Sequence, residues 1–427
     1  MPLLPLTVTA LGVFLLYKLR FFIVISPLKT AGMSLRAALS GGARSLLLAL
    51  AGTLGVGNVF GVAISISLGG AGSVFWLLVS SLFASVIKYA EALVSVDAVR
   101  EGEQGGMMLV AERRLRHGAV YGRVYALVCL FLSLVMGAAM QSSAAVISTV
   151  EVLGVPRLAV AIPFVLAALF LILASRERVK SLTAVLVPLA AVIYIAITVT
   201  VIIRYAEELP RVIDEILESA FSTRSLGGGV VGFFVSSPVS RGYSTGILSN
   251  EAGAGTSSMA HASGDVKSPV AAGLCAMLEV FADTVVICML TAFAILLPPR
   301  RATGGAELVI DALSFAFPHS DLLFAASVTA FALATVICWY FYGQVSRAYL
   351  TGRGERVFLV LYLFAVLLGA IVDTGVLAAL SDIALLILSL VTAPVIIKSS
   401  DRIVALSERY GLIRSKKSDA RDRGDGE

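Results

Sequence analysis

The stretch GTLGVGNVFG, residues 52–61, sets four glycines and an asparagine in the middle of a long apolar segment. Each glycine costs a helix about 1 kcal/mol against alanine, and Asn58 has no evident surface to face. The surroundings make this more pointed: of 427 residues, 58% are hydrophobic and only 14% charged, the composition of an integral membrane protein rather than of soluble domains. The reading that follows is an all-α polytopic membrane protein forming one transmembrane body.

Runs of about 20 apolar residues, the length a spanning helix needs, number eleven. They lie near 3–26, 45–68, 71–96, 120–149, 157–174, 181–203, 227–260, 268–297, 321–346, 357–372 and 376–397. The first is read as a helix rather than a removed signal peptide, because no basic stretch precedes it and no small-residue cleavage site follows. Lys18 and Arg20 are read as snorkelling toward the interface. Of the 33 Lys and Arg residues, 23 fall in segments on the side of the carboxyl terminus and six on the other. Basic residues gather inside, so the amino terminus is placed outside and the tail, 398–427, in the cytoplasm of a plasma-membrane protein. The net charge of +5 therefore reports topology, and no nucleic-acid partner is read. The four cysteines all fall in apolar runs, without disulfide or metal spacing.

A second interrupted segment, GYSTGILSNEAGAGTSS at 242–258, again puts glycines, serines and an Asn-Glu pair where a helix should run. The two interruptions fall in the second and seventh spans. That divides the chain into an extra helix at 3–26, a five-helix unit at 45–203 and a second at 227–397. An odd repeat unit inverts the second half across the bilayer, the 5+5 pattern of secondary transporters. LPRVIDEILES, 209–219, has apolar positions at helical spacing and is expected to lie as a short helix on the outer face.

The glycines then acquire a reason. Irregular backbone is tolerated at membrane depth only inside protein or beside a wet cavity. A break exposes half-helix amino termini that favour a carboxylate and carboxyl termini whose carbonyls favour a cation. No acid lies within 52–61, so an ammonium group or sodium ion there would be held by carbonyls, which suits a zwitterionic amino acid. The plainer reading, close packing of small residues, accounts for one such stretch but not for two at matching positions.

GTLGVGNVFGVAISISLGGAGSVFW resembles the glycine-rich signature of the alanine or glycine:cation symporters, the sodium:alanine symporter family. LSNEAGAGTSSMAHA is similar to that family's FSNEAGLGSAPIAHA, and FALATVICWYFYGQ to its FAFSTILGWSYYGE. The likeness runs from about residue 40 to 400. It implies a LeuT-type 5+5 fold with an added first helix and import of a small neutral amino acid, alanine or glycine, with sodium as coupling ion and no other cofactor. Carried over by position, it names Gly55, Val56, Gly57, Asn58, Gln141, Gly246, Leu248, Asn250 and Trp339 as substrate-binding, and Ala51, Leu54 and Thr335 as the sodium site. The sequence departs from the pattern where Ala334 replaces the serine before Thr335, removing one hydroxyl ligand, and where Gln344 replaces a terminal glutamate. Pocket positions also change, at Ser143, Thr245 and Leu248.

Acids inside spans give the competing account of proton coupling through Glu251 or Glu279; Asp283 is read as tying helices together, and Lys88 with Glu91 as an interfacial pair. A channel would need polar residues along a continuous pore, and these cluster at two breaks. A membrane enzyme would need a nucleophile and base at a catalytic spacing, and Ser249, Glu251 and His261 show none, so no catalytic residues are named.

Overall fold

A computed structural model describes residues 3–55, 57–99, 103, 105–174, 176–221, 236–263, 266, 268–299 and 304–413. Among these the chain is helical with no strand. Val56, the charged tail beyond 413 and the start of the seventh apolar run lie outside the described residues.

The helices in chain order are α1 (Leu3–Lys18), α2 (Pro27–Thr53), α3 (Gly57–Gly69), α4 (Gly72–Ala98), α5 (Met107–Arg114), α6 (Gly118–Leu153), α7 (Arg157–Ile172) and α8 (Arg176–Arg204). Then come α9 (Leu209–Ala220), α10 (Ser237–Asn250), α11 (Ser258–Ala262), α12 (Pro269–Leu296), α13 (Ala306–Ser314), α14 (Ser320–Thr351), α15 (Glu355–Leu368) and α16 (Thr374–Arg409). Six of these, α4, α6, α8, α12, α14 and α16, are long and apolar enough to cross a bilayer, and α2 with α3 makes a seventh span bent by 56°. The chain is a multi-pass membrane protein.

α4 sits at the centre. Leu77, Ile87 and Tyr89, turned in different directions, are all buried. Small residues let α10 and α12 lie close against it: a side chain at Gly242 would strike the Ser73 carbonyl, one at Gly246 the Ser80 hydroxyl, and one at Gly273 the Tyr89 ring. This is the packing by which membrane helices gain contact where lipid supplies no hydrophobic drive.

Polar pairs mark the two rims. On one, Lys18 pairs with Asp401 at 3.0 Å and Arg20 with Glu408 at 3.5 Å, while Asp97 accepts from Arg402 and Arg114. Lys18 and Arg20 thus meet acids of α16 instead of only snorkelling, although such half-exposed pairs contribute little stability. On the other rim Arg204 donates to the Phe315 carbonyl, Arg211 to that of Leu296 and Arg157 to that of Ala370. The short helix expected at 209–219 is present as α9: Val212, Ile216 and Ala220 form its buried stripe, and the Trp76 indole donates to the Ala220 carbonyl at 3.2 Å.

Candidate functional site

The first break falls where the glycines predict it. α2 ends at Thr53, Leu54 turns extended, and the chain resumes helix at Gly57 with a wide π turn to Gly61. The second differs from expectation. Gly246 lies within regular α10 against Ser80, and unwinding begins only at Glu251, whose φ is 58°, continuing through Gly253 and Gly255 at 88° and 71°. Left-handed backbone suits glycine, and the local strain at Glu251 is held by its surroundings.

Each break is closed by its own asparagine. The Asn58 Oδ1 accepts the Gly55 N–H at 3.1 Å, and the Asn250 Oδ1 accepts the Ala252 N–H at 3.0 Å. Both amide groups then reach the same point of α12. Asn58 Nδ2 donates to Asp283 Oδ1 at 2.6 Å, and Asn250 Nδ2 to Thr284 Oγ1 at 3.0 Å. Asp283 also accepts from Ser249 at 2.5 Å and from Thr284 at 2.9 Å. One fully buried carboxylate therefore joins the two broken helices. An acid does stand at the first break, brought in from 225 residues away, so the expectation that carbonyls alone would face a cation there is corrected.

The end of α2 meets one face of α14. Thr335 Oγ1 lies 3.1 Å from the Leu54 carbonyl and also donates to Phe331 of its own helix at 2.9 Å. Trp339 Nε1 donates to the Gly52 carbonyl at 3.2 Å and the Cys338 thiol to that of Leu48 at 3.3 Å. Gln141, on α6, places its Oε1 so close to Gly55 that a Cβ there would lie 2.6 Å away; its Nε2 bonds the Met136 carbonyl at 3.2 Å. Gly57 packs on α10, where a Cβ would stand 3.1 Å from Ser249 Cα and 3.4 Å from the Leu248 carbonyl.

The structure thus gathers Leu54, Gly55, Gly57, Asn58, Gln141, Leu248, Asn250, Thr335 and Trp339 about the two breaks. Ala51 is buried one turn before them, and Gly246 is turned away to α4. Asp283, Ser249 and Thr284 were not named for the site; an acid in an apolar run, four residues after Glu279, was the signal for the first. Trp339 is wholly buried and seated on Gly137, so it acts as a donor and packing surface. A cleft of about 400 Å³ beside α14 runs from Arg347 and Glu355 at the rim to Leu48 and Cys338, one turn from Gly52 and Thr335.

Two broken helices cross-linked at a buried acid, with carbonyl ends and hydroxyls facing one another inside a bundle of spans, define a multi-pass membrane transporter. Residues 2–423 match the sodium:alanine symporter family, and the chain belongs to it. It is 31% identical to an uncharacterized transporter of Haemophilus influenzae, over 79% of this chain and 76% of that one. It is 28% identical to the sodium/alanine symporter AgcS of Methanococcus maripaludis, over 81% of each, and to a sodium/proton-dependent alanine carrier protein of Bacillus sp. PS3, over 77% of each. Among solved structures, MhsT in complex with L-phenylalanine superposes with a TM-score of 0.57 at 15% identity, covering 83% of this chain and 87% of that one. That likeness concerns the fold alone.

Proposed function

We propose that the protein imports a small neutral amino acid, alanine or glycine, together with sodium by alternating access. The observation that carries this is the meeting of Thr335 and Leu54: two oxygens 3.1 Å apart at the carboxyl end of a broken helix. Two oxygens each about 2.4 Å from one hard cation, at right angles, lie roughly 3.4 Å apart, so the pair fits two ligands of a sodium ion, with Ala51 supplying a further carbonyl.

The substrate carboxylate is assigned to the amino terminus of α3, where Gly57 and Asn58 leave N–H groups unpaired by the helix; Val56 would join them. Its ammonium group is assigned to the α2 carbonyls and Asp283. Gln141, Leu248, Asn250 and Trp339 close around it. The eleven apolar runs form a 5+5 inverted repeat behind one extra helix, with the amino terminus outside, and the cleft to Cys338 is the cytoplasmic path.

Uptake of labelled alanine into proteoliposomes with and without an inward sodium gradient tests the reading. Alanine and glycine should compete and ethylamine, which lacks the carboxylate, should not. Uptake indifferent to sodium, or ethylamine competing as well as alanine, refutes it.

A further inference from the structure

A second buried polar centre gathers about Glu279, one turn before Asp283 on α12, and draws on residues the proposed sodium and substrate positions do not use. Lys88 of α4, expected at the interface with Glu91, is instead 1% exposed and paired with Glu279 of α12 at 2.9 Å. The same ammonium donates to Ser257 at 2.5 Å, at the end of the unwound stretch. The second oxygen of Glu279 meets His261 Nε2 of α11 at 2.9 Å.

Two more carboxylates face this ion pair. Glu251 and Glu91 both lie within electrostatic reach of Lys88, Glu91 one turn away on the same helix. Glu251 takes the Thr256 hydroxyl on one oxygen, and its other oxygen has no partner among the described residues. Glu91 is turned toward the backbone of Gly253 and Gly255, yet neither of its oxygens makes a hydrogen bond of normal geometry. His261 Nδ1 likewise meets no partner among the described residues. Every one of these side chains is buried.

Charge accounting decides what the centre holds. Lys88 offers one positive charge against three carboxylates; His261 donates to Glu279 through Nε2, and its Nδ1, which meets no acceptor among the described residues, gives a second ring proton nothing to bond, so the ring counts as neutral. The remaining neighbours, Tyr125 and Cys129 on α6 and Cys338 and Tyr342 on α14, bring no positive charge. Asp283, the next acid along α12, adds no positive charge either. Glu279 is matched by Lys88 and hydrogen-bonded by His261. Among the described residues Glu251 and Glu91 have no cation of their own, and two uncompensated charges are not sustained at such depth. Among the described residues no three His, Cys, Asp or Glu side chains converge as metal ligands.

We infer that this centre is a proton-binding site in which Glu251 and Glu91 each hold a proton while Glu279 stays ionised between Lys88 and His261. The protons come from water and add to free carboxylate oxygens; no other bond changes. Glu251 is the first residue of the unwound segment, so loss of its proton puts a charge beside Lys88 and competes with Glu279 and Ser257 for the ammonium. Proton binding is thereby tied to the geometry of the second break. The assignment uses the transport reading only for the uptake measurement below.

Infrared spectra of the purified full-length protein in sodium-free buffer, titrated from about pH 5 to about pH 9, report protonated carboxyl groups directly. The wild type should show a carboxylic-acid band at neutral pH that diminishes in Glu251→Gln and Glu91→Gln and persists in Glu279→Gln. A band unchanged in both of the first two variants overturns the assignment, as does one abolished by sodium at constant pH, which would make the centre a cation site. In proteoliposomes, sodium-driven alanine uptake should lose its pH dependence in Glu251→Gln and keep it in Glu251→Asp. A pH profile of Glu251→Gln matching the wild type likewise overturns it. If the wild type transports no alanine, the infrared result still decides the proton site on its own.

Discussion

Replacing Thr335 by valine keeps the shape of a fully buried side chain and removes one oxygen. The hydroxyl has two roles in the structure, a back-bond to Phe331 in its own helix and the approach to the Leu54 carbonyl. The first is a local bond of a kind that helices lose at little net cost. The second, if it lines the sodium site, supplies one of few oxygens, because Ala334 offers none where the family pattern has a serine. A hydrogen bond or ligand contact to a charge contributes about 1.5–3 kcal/mol, and about 1.4 kcal/mol is a factor of ten. The half-saturating sodium concentration should therefore rise about 10- to 150-fold in Thr335→Val, remain within a few-fold of wild type in Thr335→Ser, and fall in Ala334→Ser. The assay is initial alanine uptake against sodium concentration at fixed membrane potential, paired with sodium-dependent thermal stabilisation in detergent, which reads binding without transport. Equal sodium dependence in Thr335→Val and wild type would refute the site, and a loss of stability without any change in sodium affinity would leave Thr335 as a packing residue only.

Gly57→Val should leave the protein in the membrane and abolish uptake, since the new side chain meets Ser249 backbone at 3.1 Å where nothing flexible can yield; surface expression and uptake, measured together, check it. Asp283→Asn keeps one acceptor oxygen for the donors of Asn58, Ser249 and Thr284, so at least one buried donor loses its partner at a cost of about 1–3 kcal/mol; a lowered melting temperature with at least tenfold weaker uptake is expected, and wild-type values for both would show that the link between the breaks is dispensable. A cysteine at Glu207, exposed beyond α8, should react with an impermeant reagent from outside and one at Gly352, between α14 and α15, should not; the reverse result would invert the proposed orientation.

By itself the sequence determined the solvent and the place of the first break. Helix propensity and backbone hydrogen bonding are local, acting within four residues, so glycines at 52–61 announce the first break and the apolar runs announce the spans. The family likeness is also legible there, and with it Thr335, Leu54 and Asn58, which the fold does bring together. Where the second unwinding begins was not legible: Gly246 could mark a break or a close helix contact, and only its position over Ser80 on α4 decides for contact. The same limit applies to the buried polar residues. Asn58 reads as an isolated polar group in an apolar run, Asn250 as half of an Asn-Glu pair, Asp283 as an acid tying helices together, and Lys88 with Glu91 as an ordinary pair three residues apart. A buried polar group must find a partner, but which one is set by the packing of α4, α10 and α12, across separations such as the 191 residues between Lys88 and Glu279. Hence the local chemistry specifies that these groups need partners, and tertiary structure alone sorts them into one centre joining the two breaks and another holding three carboxylates around one lysine.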